Sequence, residues 1–131
     1  MTLEAMSFFR IASQRMQWLG TRQQVVSENI ANADTPGYRA RDVSPFESMV
    51  TRSDAGSGPA VSNPAHITGS GRGAAVDVRE DEGTWNVSLD GNTVVLEEQS
   101  IKASEISENY RLAAQLYRKG YELLGLAASS K

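Results

Sequence analysis

The 131-residue chain contains no cysteine, which excludes disulfides, thiol nucleophiles and thiolate metal sites together. It has a single histidine, His66, so zinc chemistry or a serine triad has almost nothing to work with. Aromatic residues make up only 7% of the chain, too few for a core built on rings. There is no excess of positive charge: 13 Lys+Arg stand against 16 Asp+Glu, a net of -3, which argues against a face that reads nucleic-acid phosphates. No run approaches the roughly 18–20 apolar residues of a membrane helix. The first ten residues, interrupted by Glu4 and Arg10 and lacking a basic start, do not read as a cleaved secretion signal. By that rule alone the expected location is the cytoplasm.

What is present divides by composition. Residues 1–50 carry five basic and five acidic residues, as do residues 96–131, so both ends are neutral. Residues 51–95 carry three basic residues against six acidic ones, and the whole negative excess lies there. Four segments follow: an N-terminal helix over 1–33, a turn and extended stretch over 34–50, a Gly/Ser/Pro-rich arm with a short β-hairpin over 51–95, and a C-terminal helix over 96–131.

The first helix is read from its period. Phe9, Ala12, Met16, Leu19, Gln23, Val26 and Ile30 alternate at spacings of three and four, a heptad seam in which only Gln23 is polar. No proline interrupts before Pro36, and the spacing predicts a helix over about 2–32, roughly 45 Å long at the helical rise. Gly20 weakens that helix but admits a close neighbour. Thr35-Pro36-Gly37-Tyr38 then places proline and glycine at the two centres of a type II turn.

From Ser53 to Gly73, five glycines, two prolines and four serines in 21 residues predict a loop or extended arm. The Gly69–Gly73 run lacks the strand-then-helix setting of a phosphate loop, and His66 has no partner set for a metal. The acidic run 80–82 lacks calcium-loop spacing and reads as a solvated surface. Asp90-Gly91 is expected to form a two-residue hairpin placing Trp85, Val87, Leu89, Val94 and Leu96 on one face, unless Val94–Leu96 already opens the next helix. From Leu96 to about Ala128 a second long helix is expected, with acidic residues early and basic residues late, matching the helix dipole. Leu112, Ala113, Leu116, Tyr117, Leu123, Leu124 and Ala127 form an apolar band broader than one partner helix needs.

The fold class expected is mainly α: two long helices paired as an antiparallel, coiled-coil-like hairpin around an irregular or β-hairpin middle. Two such helices bury one face against each other and leave the rest wet, so Phe8, Ile11, Trp18 and Val25 need other neighbours. Whether the seam closes within one chain or is shared between subunits stays open at this point; many copies packed side by side would give a filament or tube.

The stretch Ser27-Glu28-Asn29-Ile30-Ala31-Asn32-Ala33-Asp34-Thr35-Pro36-Gly37-Tyr38-Arg39-Ala40-Arg41-Asp42 closely resembles the signature of bacterial flagellar axial proteins, and within them the basal-body proximal rod proteins of the FlgB type. Chain length, the segment Leu89–Val94 and the final helix extend the resemblance over about two-thirds of the chain. The sister proximal rod family usually carries an insertion where this chain runs straight from Ala33 through Thr35-Pro36-Gly37. The resemblance implies a non-enzymatic structural subunit without cofactor or small-molecule substrate, exported unfolded through the flagellar type III apparatus and polymerised into the shaft that carries motor torque. It moves the expected location from the cytoplasm to the periplasm-spanning rod. Partners implied are other rod subunits, the rod–ring junction protein, the membrane-embedded ring and the export gate. The signature turn comprises Asn29, Ile30, Ala31, Asn32, Asp34, Thr35, Pro36, Gly37 and Tyr38. Asn29, Asn32, Asp34 and Thr35 are expected to fix it by side-chain hydrogen bonds, with Tyr38 aimed at a neighbouring subunit. Helix-pairing and subunit contacts are assigned to Phe9, Ala12, Met16, Leu19, Val26, Ile30, Leu112, Leu116, Tyr117, Leu123 and Leu124. The competing classes are the sister rod subunit and a soluble helical adaptor or secretion chaperone; an enzyme would need a titratable cluster that the chain does not supply.

Overall fold

The structure is a computed structural model that describes residues 2–54 and 76–130. Five elements follow in order: α1 (Leu3–Ala31), β1 (Arg41–Val43), α2 (Phe46–Asp54), β2 (Val78–Glu80) and α3 (Leu96–Ser129). The mainly helical architecture expected from the heptad spacing is what forms, with α1 and α3 packed along their lengths.

Helix α1 starts where the Thr2 hydroxyl accepts from the Ala5 amide at 3.3 Å, satisfying one orphan donor of the first turn. At its far end the Asn32 side-chain amide donates to the Glu28 carbonyl at 2.8 Å, and Pro36 prevents continuation. Helix α3 has no side-chain cap at Val95; Glu97 and Glu98 in its first turn oppose the positive end of the dipole instead.

The pairing is antiparallel and in register from end to end. Asn29 meets Gln99 at one end, and at the other Phe9 stacks edge-on against Tyr117 with ring centroids 5.1 Å apart. Between them Leu19, Val26, Ile106 and Ala113 form the buried seam, with Met16 and Ala103 packed against it. On α3 the inward stripe is Gln99, Ala103, Ile106, Ala113, Tyr117 and Leu124, spaced by threes, fours and sevens. Of the expected contact residues on this helix, Tyr117 and Leu124 lie in that stripe, whereas Leu112, Leu116 and Leu123 lie beside it and are more than half exposed. On α1, Gln23 is exposed and Ile30 is 43% exposed, because the fully buried Asn29 takes the last seam position.

The middle segment departs from expectation in three ways. The sheet is a long-range pair, β1 against β2, in the register Arg41↔Glu80, Asp42↔Arg79, Val43↔Val78. No strands flank Asp90-Gly91: Trp85, Val87, Leu89 and Leu96 are all exposed, so the proposed one-sided face has nothing to pack on. Asp90 and Gly91 do turn, but in a three-residue loop. The Gly91 amide donates to the Ser88 carbonyl and the Ser88 amide to the Asn92 carbonyl, with Gly91 at φ +85°. Finally, residues 46–54 form α2 where extended chain and arm were expected, and Phe46 and Met49 of that helix reach α1. Phe46 stands edge-on to Trp18 at 6.0 Å, and the Trp18 indole donates to the Ser44 carbonyl at 2.8 Å. Trp18 and Val25, expected to need outside neighbours, are therefore covered within the chain. His66 and the Gly69–Gly73 run lie outside the described residues.

Candidate functional site

Two polar junctions and one bare apolar surface are the candidates. The first junction is the turn after α1. Tyr38 donates its amide to the Thr35 carbonyl at 3.2 Å, and Gly37 sits at φ +72°, the geometry of a type II turn. The turn is stitched to the segment before α3. The Gly37 amide donates to the Asp90 carbonyl at 2.9 Å, and Thr93 donates to the Tyr38 carbonyl at 3.0 Å. The buried Asn92 side chain donates to the carbonyls of both Asn32 (2.9 Å) and Thr35 (2.8 Å). The Thr93 hydroxyl accepts from the Ala40 amide at 2.7 Å. The two left-handed glycines lie back to back: a Cβ on Gly91 would come within 3.6 Å of the Gly37 Cα.

Asn29 is the hub beneath this turn. Its amide donates to the Arg41 carbonyl (2.8 Å) and to Gln99 Oε1 (2.9 Å). Its oxygen accepts from the Arg41 amide (3.0 Å) and the Tyr38 hydroxyl (3.2 Å). Both donors and the acceptor are thus used at a site with no solvent exposure. The Tyr38 hydroxyl turns inward, not outward to a neighbour as expected. Asn32 and Thr35 join the network, the Thr35 hydroxyl donating to Asn32 Oδ1 at 3.1 Å, whereas Asp34 is exposed and takes no part. Asn92, Thr93 and Gln99 carry much of the junction; Asn92 and Thr93 lie in the segment Leu89–Val94 that extends the resemblance, but nothing in the sequence assigns them or Gln99 to the turn.

The second junction is ionic. Lys102 Nζ lies 2.5 Å from Asp81, 3.2 Å from Glu98 and 3.4 Å from Asp42, and Arg22 forks onto Asp42 at 3.1 and 3.3 Å. Five charges from α1, β1, the end of β2 and α3 thereby meet at one half-buried point. Burial would raise the Asp42 pKa, but the Arg22 hydrogen bond, the Val43 amide and the neighbouring cations outweigh it, leaving the carboxyl below its ordinary range. Burial would likewise depress Lys102, and Asp81, Asp42 and Glu98 together hold it above its ordinary value. Nothing in this arrangement resembles a nucleophile and its base; it holds the sheet to the helices.

The apolar surface lies toward the other end of the pair. Leu3, Met6, Phe8 and Ile11 of α1, and Leu112, Leu116, Tyr121, Leu123 and Leu126 of α3, are 40–81% exposed. Among the described residues no helix is long and apolar enough to cross a membrane. A long helix pair with this much bare apolar surface is built to meet protein.

Comparison with known proteins agrees. The family described as flagella basal body rod protein matches residues 9–39, which is most of α1 together with the turn. The flagellar basal body rod protein FlgB of Agrobacterium fabrum is 35% identical over 125 residues, covering 94% of this chain and 93% of its own length. The chain belongs to the FlgB family of flagellar basal body rod proteins. FlgB of Escherichia coli K12 is 31% identical over 110 residues, covering 79% of this chain and 80% of its own. FlgB of Cereibacter sphaeroides is 36% identical over 89 residues, covering 68% and 66%. This rod protein is a structural subunit of the flagellar basal body, not an enzyme, and it assembles there with other basal-body components.

Proposed function

We propose that the chain is a proximal-rod subunit, exported through the flagellar type III apparatus without signal cleavage and polymerised with other rod subunits into the torque-transmitting shaft. Its neighbours are then those subunits, the rod–ring junction protein, the membrane-embedded ring and the export gate. The observation that carries this reading is the apolar surface left bare on two coextensive helices, with Leu116 at 51%, Leu123 at 56% and Leu126 at 66% exposed. Apolar area contributes roughly 25 cal/mol per Å² when covered, and long parallel contacts spread a torsional load over many such residues. The signature residues of the turn act inside the subunit in this reading: they fix where the middle segment leaves the shaft-forming helices. Phe9, Ala12, Met16, Leu19 and Val26 hold the pair together, and Leu112, Leu116 and Leu123 face neighbours.

Leu116→Asp combined with Leu123→Asp tests it. Neither side chain is buried, so the purified variant should keep its helical circular dichroism and melt within a few degrees of the parent. Cells carrying it as their sole copy should be non-motile and build no shaft beyond the base. Normal swimming by such cells would refute the proposal. A chain that purifies as a compact, tight dimer would favour the adaptor class instead.

A further inference from the structure

The end of the molecule that holds the polar junctions also carries apolar side chains with no neighbour. Trp85, Val87 and Leu89, three large apolar residues within five positions, are each at least 60% exposed. The stretch is neither helix nor strand, and none of the three joins the hydrophobic core. Beside it lies a hollow lined by Ala33 and Asp34 of the turn, Asn86 and Ser88 of the loop, and Leu96 and Glu97 of α3. Turn, loop and helix start therefore form one continuous surface. An apolar patch rimmed by polar groups is the pattern of a protein-docking surface, and tryptophan is enriched at the energetic centre of such surfaces.

The charge around this surface has one sign. Residues 23–38 hold two carboxylates and residues 80–101 hold six, with no basic residue in either stretch. Lys102 engages Asp81 and Glu98. Arg41 faces Glu80 across the sheet, and two steps along the same register Arg39 faces Glu82. Glu28, Asp34, Asp90 and Glu97 are left without an ionic partner among the described residues. Helix α1 ends and α3 begins side by side here, so their opposed dipoles offset each other and the carboxylates set the sign. That sign repels phosphate and anionic lipid and attracts a basic protein segment. A second copy does not supply the complement. At its other end, over residues 2–17 and 103–130, five basic residues stand against four acidic ones.

Resting on the rod-subunit reading, we propose that this surface docks a basic segment of a different basal-body protein. Apolar residues of that segment seat against Trp85, Val87 and Leu89, and a lysine or arginine enters the hollow between Asp34 and Glu97. The apolar contacts hold the partner, and the carboxylates select it and speed its arrival.

A photocrosslinking benzoylphenylalanine in place of Val87, introduced during synthesis in the cell, reports what lies against the loop. Illuminated basal bodies should yield an adduct whose added mass differs from that of the subunit. Mass spectrometry should place the link in a partner segment of net positive charge. Asp34 is exposed and makes no hydrogen bond in the turn, so Asp34→Lys should melt within a few degrees of the parent while adduct yield falls at least fivefold. Trp85→Ser combined with Leu89→Ser should likewise melt with the parent, while swimming falls at least tenfold. An adduct of twice the subunit mass, a link in a neutral or acidic segment, or no adduct overturns the proposal. So does an unchanged yield in Asp34→Lys, or normal swimming of the double serine variant. If the chain is missing from basal bodies altogether, the rod reading fails with it; a wrong adduct from basal bodies that contain the chain sinks the docking alone.

Discussion

Replacing Asn29 by alanine isolates the hub under the turn. The substitution strands the Arg41 amide, the Arg41 carbonyl and Gln99 Oε1, and it frees the Tyr38 hydroxyl. Tyr38 is half-buried and can turn to water, so little is charged to it. Each buried polar group left without a partner costs about 1–3 kcal/mol. With three stranded groups and partial relaxation, the expected loss is roughly 3–4 kcal/mol, or about 10–15 °C in Tm for a chain of this size. Gln99 is the internal control. It is equally buried, yet its Nε2 has no partner and only its Oε1 is used. Gln99→Met removes an amide that is already half unsatisfied and leaves Asn29 short of one acceptor, so its cost should stay below about 1 kcal/mol. Urea unfolding of both single variants and the double variant, followed by circular dichroism, measures the two costs and their coupling. Equal losses for Asn29→Ala and Gln99→Met, or a loss under about 1 kcal/mol for Asn29→Ala, would refute the assignment of Asn29 as the hub.

Other outcomes follow from the same geometry. Gly37→Ala should cost about 1–2 kcal/mol from left-handed backbone strain alone, because its Cβ position is empty; thermal melting reads it directly. Trp18→Phe should cost on the order of 1–2 kcal/mol, since it strands the Ser44 carbonyl and removes ring area under Phe46. The pH dependence has two limbs. Asp42 is depressed when folded, so its contribution is full above the ordinary aspartate value and is lost as the pH falls through the folded one. Lys102 is raised when folded, so its contribution is full below the ordinary lysine value and is lost as the pH rises through the folded one. Lys102→Met should abolish the alkaline limb and destabilise by about 2 kcal/mol at neutral pH, read by urea unfolding of parent and variant across the pH range.

The parts legible in the sequence were those set by period or by backbone stereochemistry. Leu19 and Val26 declared themselves through heptad spacing, and Gly37 through the demand of a type II turn for positive φ. The β pairing was not legible, because three-residue strands in register across dozens of intervening residues leave no local alternation. Asp90-Gly91 is legible as a turn but its loop length is not: the extra residue, Leu89, points fully into solvent and mimics a strand position in the sequence alternation. Helix α2 was hidden because its core anchors, Phe46 and Met49, are too closely spaced and too few to make a period. The polar hub is legible only in part, and for a different reason. The signature points to Asn29, whereas Asn92 and Gln99 look like surface residues until the fold brings them within 3 Å of their partners.

The two junctions and the seam divide the work in a way that suits a load-bearing subunit. The seam is apolar and its contacts are non-directional, so alone it would tolerate sliding of α3 along α1 by one heptad. A slide of seven residues would bring Ile106 in place of Gln99 opposite Asn29 and strand an amide hydrogen there. It would also carry Lys102 about 10 Å from Asp42 and Asp81, dismantling the ionic junction. The polar groups therefore set the register that the apolar ones stabilise. They sit at the end of the pair where the middle segment attaches, while the opposite end is left greasy and free of such locks. If the proposed rod-subunit reading holds, a torsional load would run along a helix pair that resists ratcheting, because slippage would break a buried hydrogen bond and several ion contacts together.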